Sequence, residues 1–262
     1  MKQKSSRHLL TLPVILLAVA VTGNEILLGA EVDPPAETCR VLVVTGEDYK
    51  GHHWKKTTPV LKALLEEDPC IAVEVLEDLT KLATTKLDNY QAVVMHFKNY
   101  SPKVPGRAGY DSLSKYVENG GGLVLVHFAC GAFQEFRGDF ERLAGRAWTP
   151  ERRGHDPRGP FRVEMTQVDH EITRGLKPFE TTDELYTCLD GETKITVLAE
   201  STSKVDGKQY PMAFVLSYGK GRVFHSVLGH DVKAFEPEGV GVLYRRGTLW
   251  TARLKTVPGT SL

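Results

Sequence analysis

The chain has 262 residues, 41% of them hydrophobic, and 33 basic residues balance 33 acidic ones, so the formal net charge is zero. That balance gives no global field for nucleic acid, and no DNA- or RNA-binding motif is present. The four cysteines form no C-x-x-C pair, which excludes a structural zinc site of that type.

Lys2, Lys4 and Arg7 precede an apolar run from Leu9 to Val21, with small residues beyond it. Residues 1–30 therefore read as an export signal, cut after Ala20, Gly23 or Ala30. Pro13 and the shortness of the run argue against a stable membrane span. The expected location is periplasmic or extracellular, without membrane attachment once the signal is gone. Residues 38–255 are expected to form one α/β domain, large enough to bury its own core.

Arg40 to Thr45 is a short continuous apolar run before Gly46, the pattern of a strand buried on both faces. Thr58 to Glu66 has helical spacing, with Thr58 as cap and Pro59 at the first helical position. Ile71–Val75, Tyr90–Phe97 and Leu123–Phe128 read as further strands. Ser112–Glu118 and Phe133–Leu143 read as helices, the first ended by the turn Gly120–Gly122. This alternation predicts a parallel sheet covered by helices. Cys39 and Cys70 precede two strands expected to be neighbours, so a disulfide between them is expected.

The pattern changes after Trp148. Arg146 to Arg158 reads as a basic but solvated loop, and Phe161–Met165 alternates as a half-exposed strand does. Thr193–Glu200, Met212–Tyr218 and Arg222–Leu228 add strands, the last two joined by the hairpin signal Gly219-Lys-Gly221. Gly241 to Ala252 closes the domain with a helix.

Ligands of open parallel sheets bind beyond the C-terminal strand ends. The first strand exits into Glu47, His52, His53 and Trp54; the third exits at His96 and the fourth at His127. The late hairpin exits at His225 and His230-Asp231. Imidazoles and carboxylates gathered in this way serve either as general acid and base or as ligands of zinc or another divalent metal. No H-E-x-x-H spacing occurs, so a metal site would be assembled from distant segments, with His53, His127 and His230 as its candidates. The residues themselves require no cofactor. Cys130, followed by Gly131 after a strand, is a candidate nucleophile with His127 or His230 as its base. Asp183, Glu184 and Tyr186 are candidate hydroxyl-binding groups, and Trp54, Trp148 and Tyr186 candidate stacking faces.

Several segments together resemble the ThuA-like family, named for trehalose utilisation. They are Arg40–Gly46, His53, Gly120–His127, Asp169–Leu176, Asp183–Tyr186 and, most specifically, Gly219–Glu236. The resemblance implies a three-layer flavodoxin-like fold with a mostly parallel sheet and a C-terminal β-hairpin addition, similar to class I glutamine amidotransferases. It also implies a role in carbohydrate metabolism. The turn Val126-His-Phe-Ala-Cys-Gly131 departs from the Gly-x-Cys-x-Gly elbow of glutaminases, so glutamine hydrolysis is not expected.

Two functional readings follow. One is an enzyme acting on a sugar or keto-sugar glycoside by hydrolysis, isomerisation or elimination. In it His127 and His230 are acid and base, Asp231 orients an imidazole, and Glu47, His53, Trp54, His96, Asp183, Glu184 and Tyr186 bind the substrate. The alternative is a non-catalytic carbohydrate-binding module using the same cleft. In both the partner is a small carbohydrate, and the sequence leaves a homo-oligomer open.

Overall fold

The computed structural model describes residues 38–47 and 51–255. The expected export signal lies outside these residues. The strands and helices are, in chain order, β1 (Cys39–Val44), α1 (Trp54–Glu66), β2 (Ile71–Leu76), β3 (Ala92–Met95), α2 (Gly106–Glu118), β4 (Gly122–Val126) and α3 (Arg137–Ala144). They continue with β5 (Ala147–Trp148), β6 (Gly159–Met165), β7 (Phe179–Asp183), β8 (Leu189–Asp190), β9 (Thr196–Thr202), β10 (Gln209–Tyr218), β11 (Gly221–Ser226) and α4 (Glu238–Thr251). No described helix is long and apolar enough to cross a membrane.

Nine strands form one sheet in the order β2-β1-β3-β4-β11-β10-β9-β6-β7. The pairings from β2 through β11 are parallel, and those beyond β11 are antiparallel. The parallel half is central because its strands are apolar on both faces: every residue of β3 and β4 is buried. Side chains alternate between the faces along each strand. Val41 and Val43 of β1 pack with Leu61, Leu64 and Leu65 of α1 and with Leu243 and Leu249 of α4. Leu42 and Val44 pack on the other side with Leu113 and Val117 of α2 and with Phe140 and Leu143 of α3. The result is a helix–sheet–helix sandwich, as expected. The hairpin is also present: Gly219, at φ +56°, turns β10 into β11, and β11 then pairs in parallel with β4.

The structure corrects several local expectations. Helix α1 begins at Trp54, not at Thr58, so Pro59 lies inside it and His53 occupies the cap position. The His53 carbonyl accepts from the N–H groups of Lys56 and Thr57, which starts the helix a turn earlier. Thr58 Oγ1 is instead turned into the core, 3.0 Å from His96 Nδ1 and 3.2 Å from Thr45 Oγ1. Helix α2 starts earlier than Ser112. The segment after β4 stays tightly wound in 3₁₀ turns until α3 begins at Arg137, because Phe133 adopts a left-handed φ of +53°.

No disulfide joins Cys39 and Cys70. Cys39 is in register with Ile71, so Cys70 lies one residue out of step. With a side-chain period of two, that offset turns Cys70 away from the face on which Cys39 is buried.

Candidate functional site

Four chain segments converge beyond the C-terminal ends of the parallel strands. His52 comes from the loop before α1, and His127 directly follows β4. Glu184 directly follows β7, and His230 lies in the loop after β11. One donor atom from each of these residues lies within 4.8 Å of all the others. His127 Nε2 is 3.2 Å from His52 Nε2 and 3.6 Å from Glu184 Oε2. Glu184 Oε2 is 3.1 Å from His230 Nδ1 and 3.9 Å from His52 Nε2. Among the described residues, these four are the ones placed to hold a cation.

The surroundings fix each group. His127 has a φ of +45°, a strained conformation for a residue bearing a Cβ. Its Nδ1 lies 2.6 Å from the Val227 carbonyl, which accepts only from a protonated Nδ1, so Nε2 is the ring nitrogen turned to the cluster. The Tyr186 hydroxyl is 2.9 Å from that Nε2. His52 stacks on Phe128 with ring centroids 4.6 Å apart. Burial, then the neighbouring His127 and His230, push its pKa down to about 2, so it is neutral at physiological pH.

Burial alone would raise the Glu184 carboxyl, but the His127 and His230 imidazoles outweigh it and hold the group well below the usual carboxylate range. Burial lowers His230, and its bond to Glu184 more than reverses this, so the net shift is upward. Asp183 is fully buried. Its carboxylate accepts from the backbone N–H groups of Gly229 (2.7 Å), His230 (3.2 Å) and Glu184 (2.7 Å). It thereby ties the loop carrying His230 to the strand end carrying Glu184. Burial raises its pKa despite these bonds.

This group opens on a cavity of about 370 Å³, whose walls include His52, His155, Glu184, Tyr186, His230 and Trp148. Lys98 also lines it, with Nζ 4.8 Å from the Trp148 ring centroid. His155 Nε2 is 3.5 Å from Glu184 Oε1, and its Nδ1 donates to the Asp156 carbonyl at 2.7 Å.

The family model described as "ThuA: Trehalose utilisation" matches residues 40–251. The chain belongs to the ThuA family. This ThuA domain resembles in fold a ThuA-like protein from Parabacteroides merdae, with a TM-score of 0.75 at 24% identity, covering 86% of this chain and 93% of that one. A ThuA-like protein from Bacteroides uniformis gives 0.67 at 19% identity, covering 83% and 93%. A β-galactosidase from Bacillus circulans sp. alkalophilus gives 0.56 at 13% identity, covering 85% of this chain but 32% of that one. No curated protein matches the ThuA chain in sequence.

Of the residues singled out in the sequence, His127, Glu184, Tyr186 and His230 come together in the ThuA site. Others do not. His53 is exposed at the helix cap, and its neighbour His52 points into the cluster. Asp231 does not orient an imidazole; it caps the short turn at Val232–Phe235 and pairs with Arg158 at 2.6 Å. His96 is sealed beneath the site among Thr57, Thr58 and Phe128. Trp54 faces a separate groove with Pro59 and Val75. Glu47 Oε1 accepts from the Tyr100 N–H. Asp183 binds backbone and does not line the cavity that Glu184 lines. His225, another expected exit residue, is buried with Nδ1 on the Ala144 carbonyl.

Cys130 is buried and its thiol is pushed well above its ordinary value by burial, which removes the thiolate a nucleophile needs. His52 and His155 are the site residues that sequence reasoning missed. His52 stood beside the chosen His53, and His155 lay in a stretch read as solvated loop. That loop is in fact anchored: Asp156 accepts from Ser203 Oγ at 2.8 Å and the Lys204 N–H at 2.9 Å, and pairs with Arg153.

Proposed function

We propose that this protein is an enzyme acting on a carbohydrate by acid/base chemistry in the cavity bounded by Glu184, Tyr186 and His230. One observation carries the reading: a carboxylate, an imidazole and a phenol share one wall of a cavity at the C-terminal edge of the parallel sheet. Breaking a glycosidic bond, or moving a proton beside a sugar carbonyl, requires one group to take a proton and another to give one. Glu184, held ionised, accepts hydrogen bonds from a sugar hydroxyl, while His230, moved upward by its bond to Glu184, is the group to exchange the proton. Tyr186 is pushed far above its ordinary pKa by burial and stays protonated, so its hydroxyl is a donor toward negative charge developing on a sugar oxygen. Membership of a family named for trehalose utilisation supports a sugar as the substrate.

The reading as a binding module leaned on Trp54 and Tyr186 as stacking faces. Trp54 does not line the cavity, although Trp148 and Tyr186 do, so that reading keeps only part of its support.

The test is a panel of disaccharides and their keto derivatives, with products followed by mass spectrometry. Tyr186→Phe keeps the ring and removes only the hydroxyl, and should lower turnover about 10²-fold. No product from the wild type, or an unchanged rate in a folded Tyr186→Phe variant, would overturn the proposal. Export belongs to the same reading: the mature protein should be recovered outside the cytoplasm, with an N-terminus within residues 21–31 by sequencing. An intact Met1 there would count against it.

A further inference from the structure

We infer that His52, His127, Glu184 and His230 form a binding site for one divalent transition-metal ion of the zinc type. The inference deepens the reading of this cavity as a reaction site by naming a reagent within it, but it can be measured without any turnover.

The geometry carries it. Zinc binds imidazole nitrogen and carboxylate oxygen at about 2.0–2.1 Å, and a tetrahedral shell of that radius has ligand–ligand edges of about 3.3–3.4 Å. Four of the six separations between donor atoms are 3.1, 3.2, 3.6 and 3.9 Å, and all six lie within 4.8 Å. Four groups from four distant segments thus stand at or slightly beyond coordination-edge distances, close enough for one ion to draw them together. No local spacing in the sequence announces such a site.

The chemistry of the donors agrees. Three imidazoles with one carboxylate suit zinc, iron, cobalt or nickel far better than magnesium or calcium, which prefer all-oxygen shells. A metal-bound histidine typically donates its other ring N–H to a carbonyl or carboxylate, and His127 does so to Val227 at 2.6 Å. That bond turns Nε2 toward His52 and Glu184.

The outer shell is rigid. Phe128 braces the His52 ring, and Asp183 fixes both the backbone of His230 and the start of the segment bearing Glu184. Such support holds ligands in place before the ion arrives. A cation here is open to the cavity, where it would polarise a sugar oxygen or lower the pKa of a bound water.

The experiment uses the mature chain, stripped of metal by dialysis against a chelator. It is titrated with Co²⁺, followed by the visible ligand-field bands of a four-coordinate ion, and then challenged with Zn²⁺. One equivalent of Co²⁺ should bind and be displaced by Zn²⁺. His52→Ala and Glu184→Gln should each weaken binding by more than the about 10–100-fold typical of outer-shell changes. His53→Ala, next to a ligand but exposed, should bind as the wild type does. Melting by circular dichroism checks that each variant folds, and near-isosteric Glu184→Gln serves if His52→Ala does not. The wild type failing to bind a stoichiometric ion would overturn the inference, as would binding that survives substitution of a folded variant. A bound ion without any sugar turnover would sustain this site while sinking the carbohydrate reading. Full turnover by demonstrably metal-free protein would sink the site as a reagent and leave the carbohydrate reading standing.

Discussion

Asp183 is where the architecture of the site is most exposed to attack by a single substitution. Its carboxylate is buried and accepts from three backbone N–H groups, those of Gly229, His230 and Glu184. Asp183→Ala strands all three. The Gly229 donor is wholly buried, and losing its acceptor costs about 1–3 kcal/mol. The other two are partly buried and reach water more easily, costing about 1 kcal/mol each. Against this stands the relief of no longer burying a carboxylate that desolvation pushes upward. The net expectation is a loss of about 2–4 kcal/mol. In a domain of this size that corresponds to a drop in melting temperature of roughly 5–15 °C. Asp183→Asn keeps one acceptor oxygen and should lose about half as much. Thermal melts by circular dichroism measure both. If Asp183→Ala melts within about 1 °C of the wild type, the carboxylate is not the clamp that holds the His230 loop, and the account of how the site is assembled fails.

Two further expectations follow from the buried groups. His96 and His225 are fully buried and pushed down, chiefly by desolvation, to about 3 and about 4. A histidine held neutral in the fold but free to protonate when unfolded contributes stability above its unfolded pKa of about 6.5, and that contribution is lost as pH falls toward the folded value. Between pH 7 and pH 5 the pair should therefore cost about 4 kcal/mol, read from urea midpoints; flat stability across that interval would contradict their buried, neutral state. Burial also raises the Cys130 thiol well above its ordinary value and the Cys188 thiol to about 12. Neither should react with a thiol-specific reagent before unfolding, and Cys130→Ser should retain turnover. Rapid labelling of native Cys130 together with a dead Cys130→Ser variant would restore the thiol as nucleophile.

Much of the fold was legible because the central strands must be apolar on both faces, and β1, β3 and β4 announce this as uninterrupted runs. The Gly219-Lys-Gly221 turn was equally plain, since it needs a residue at positive φ. Strand β7 was not legible. Its sequence Phe-Glu-Thr-Thr-Asp offers little apolar alternation because it pairs only with β6 at the edge of the sheet. The exits of the strands pointed to the right end of the molecule, but not to the right neighbour at each position. Whether His52 or His53 turns inward depends on where α1 starts, and Pro59 suggested a start several residues too late. A polar residue at a strand end can also be sealed beneath the ligand rather than exposed to it, as with His96 and His225. Composition does not separate these cases; the packing of Thr57, Thr58 and Phe128 does.

The elbow after β4 ties the fold to the kind of chemistry it supports. On related α/β folds the tight turn at a strand end displays a nucleophile above the sheet. Here the residue in the strained conformation is His127, at φ +45°, and a strain of about 1–3 kcal/mol persists only where the surroundings enforce it. The Val227 carbonyl at 2.6 Å and the Tyr186 hydroxyl at 2.9 Å are the enforcing contacts. Their effect is to fix one ring nitrogen as a donor and aim the other at His52 and Glu184. A nucleophile at this position would have to face the cavity, whereas His127 is fully buried behind the cavity wall. Cys130, three residues on, does line the cavity, but burial pushes its thiol well above its ordinary value. The elbow therefore presents a fixed ring nitrogen to a cluster of other donors, an arrangement that favours holding an ion or a proton over forming a covalent intermediate.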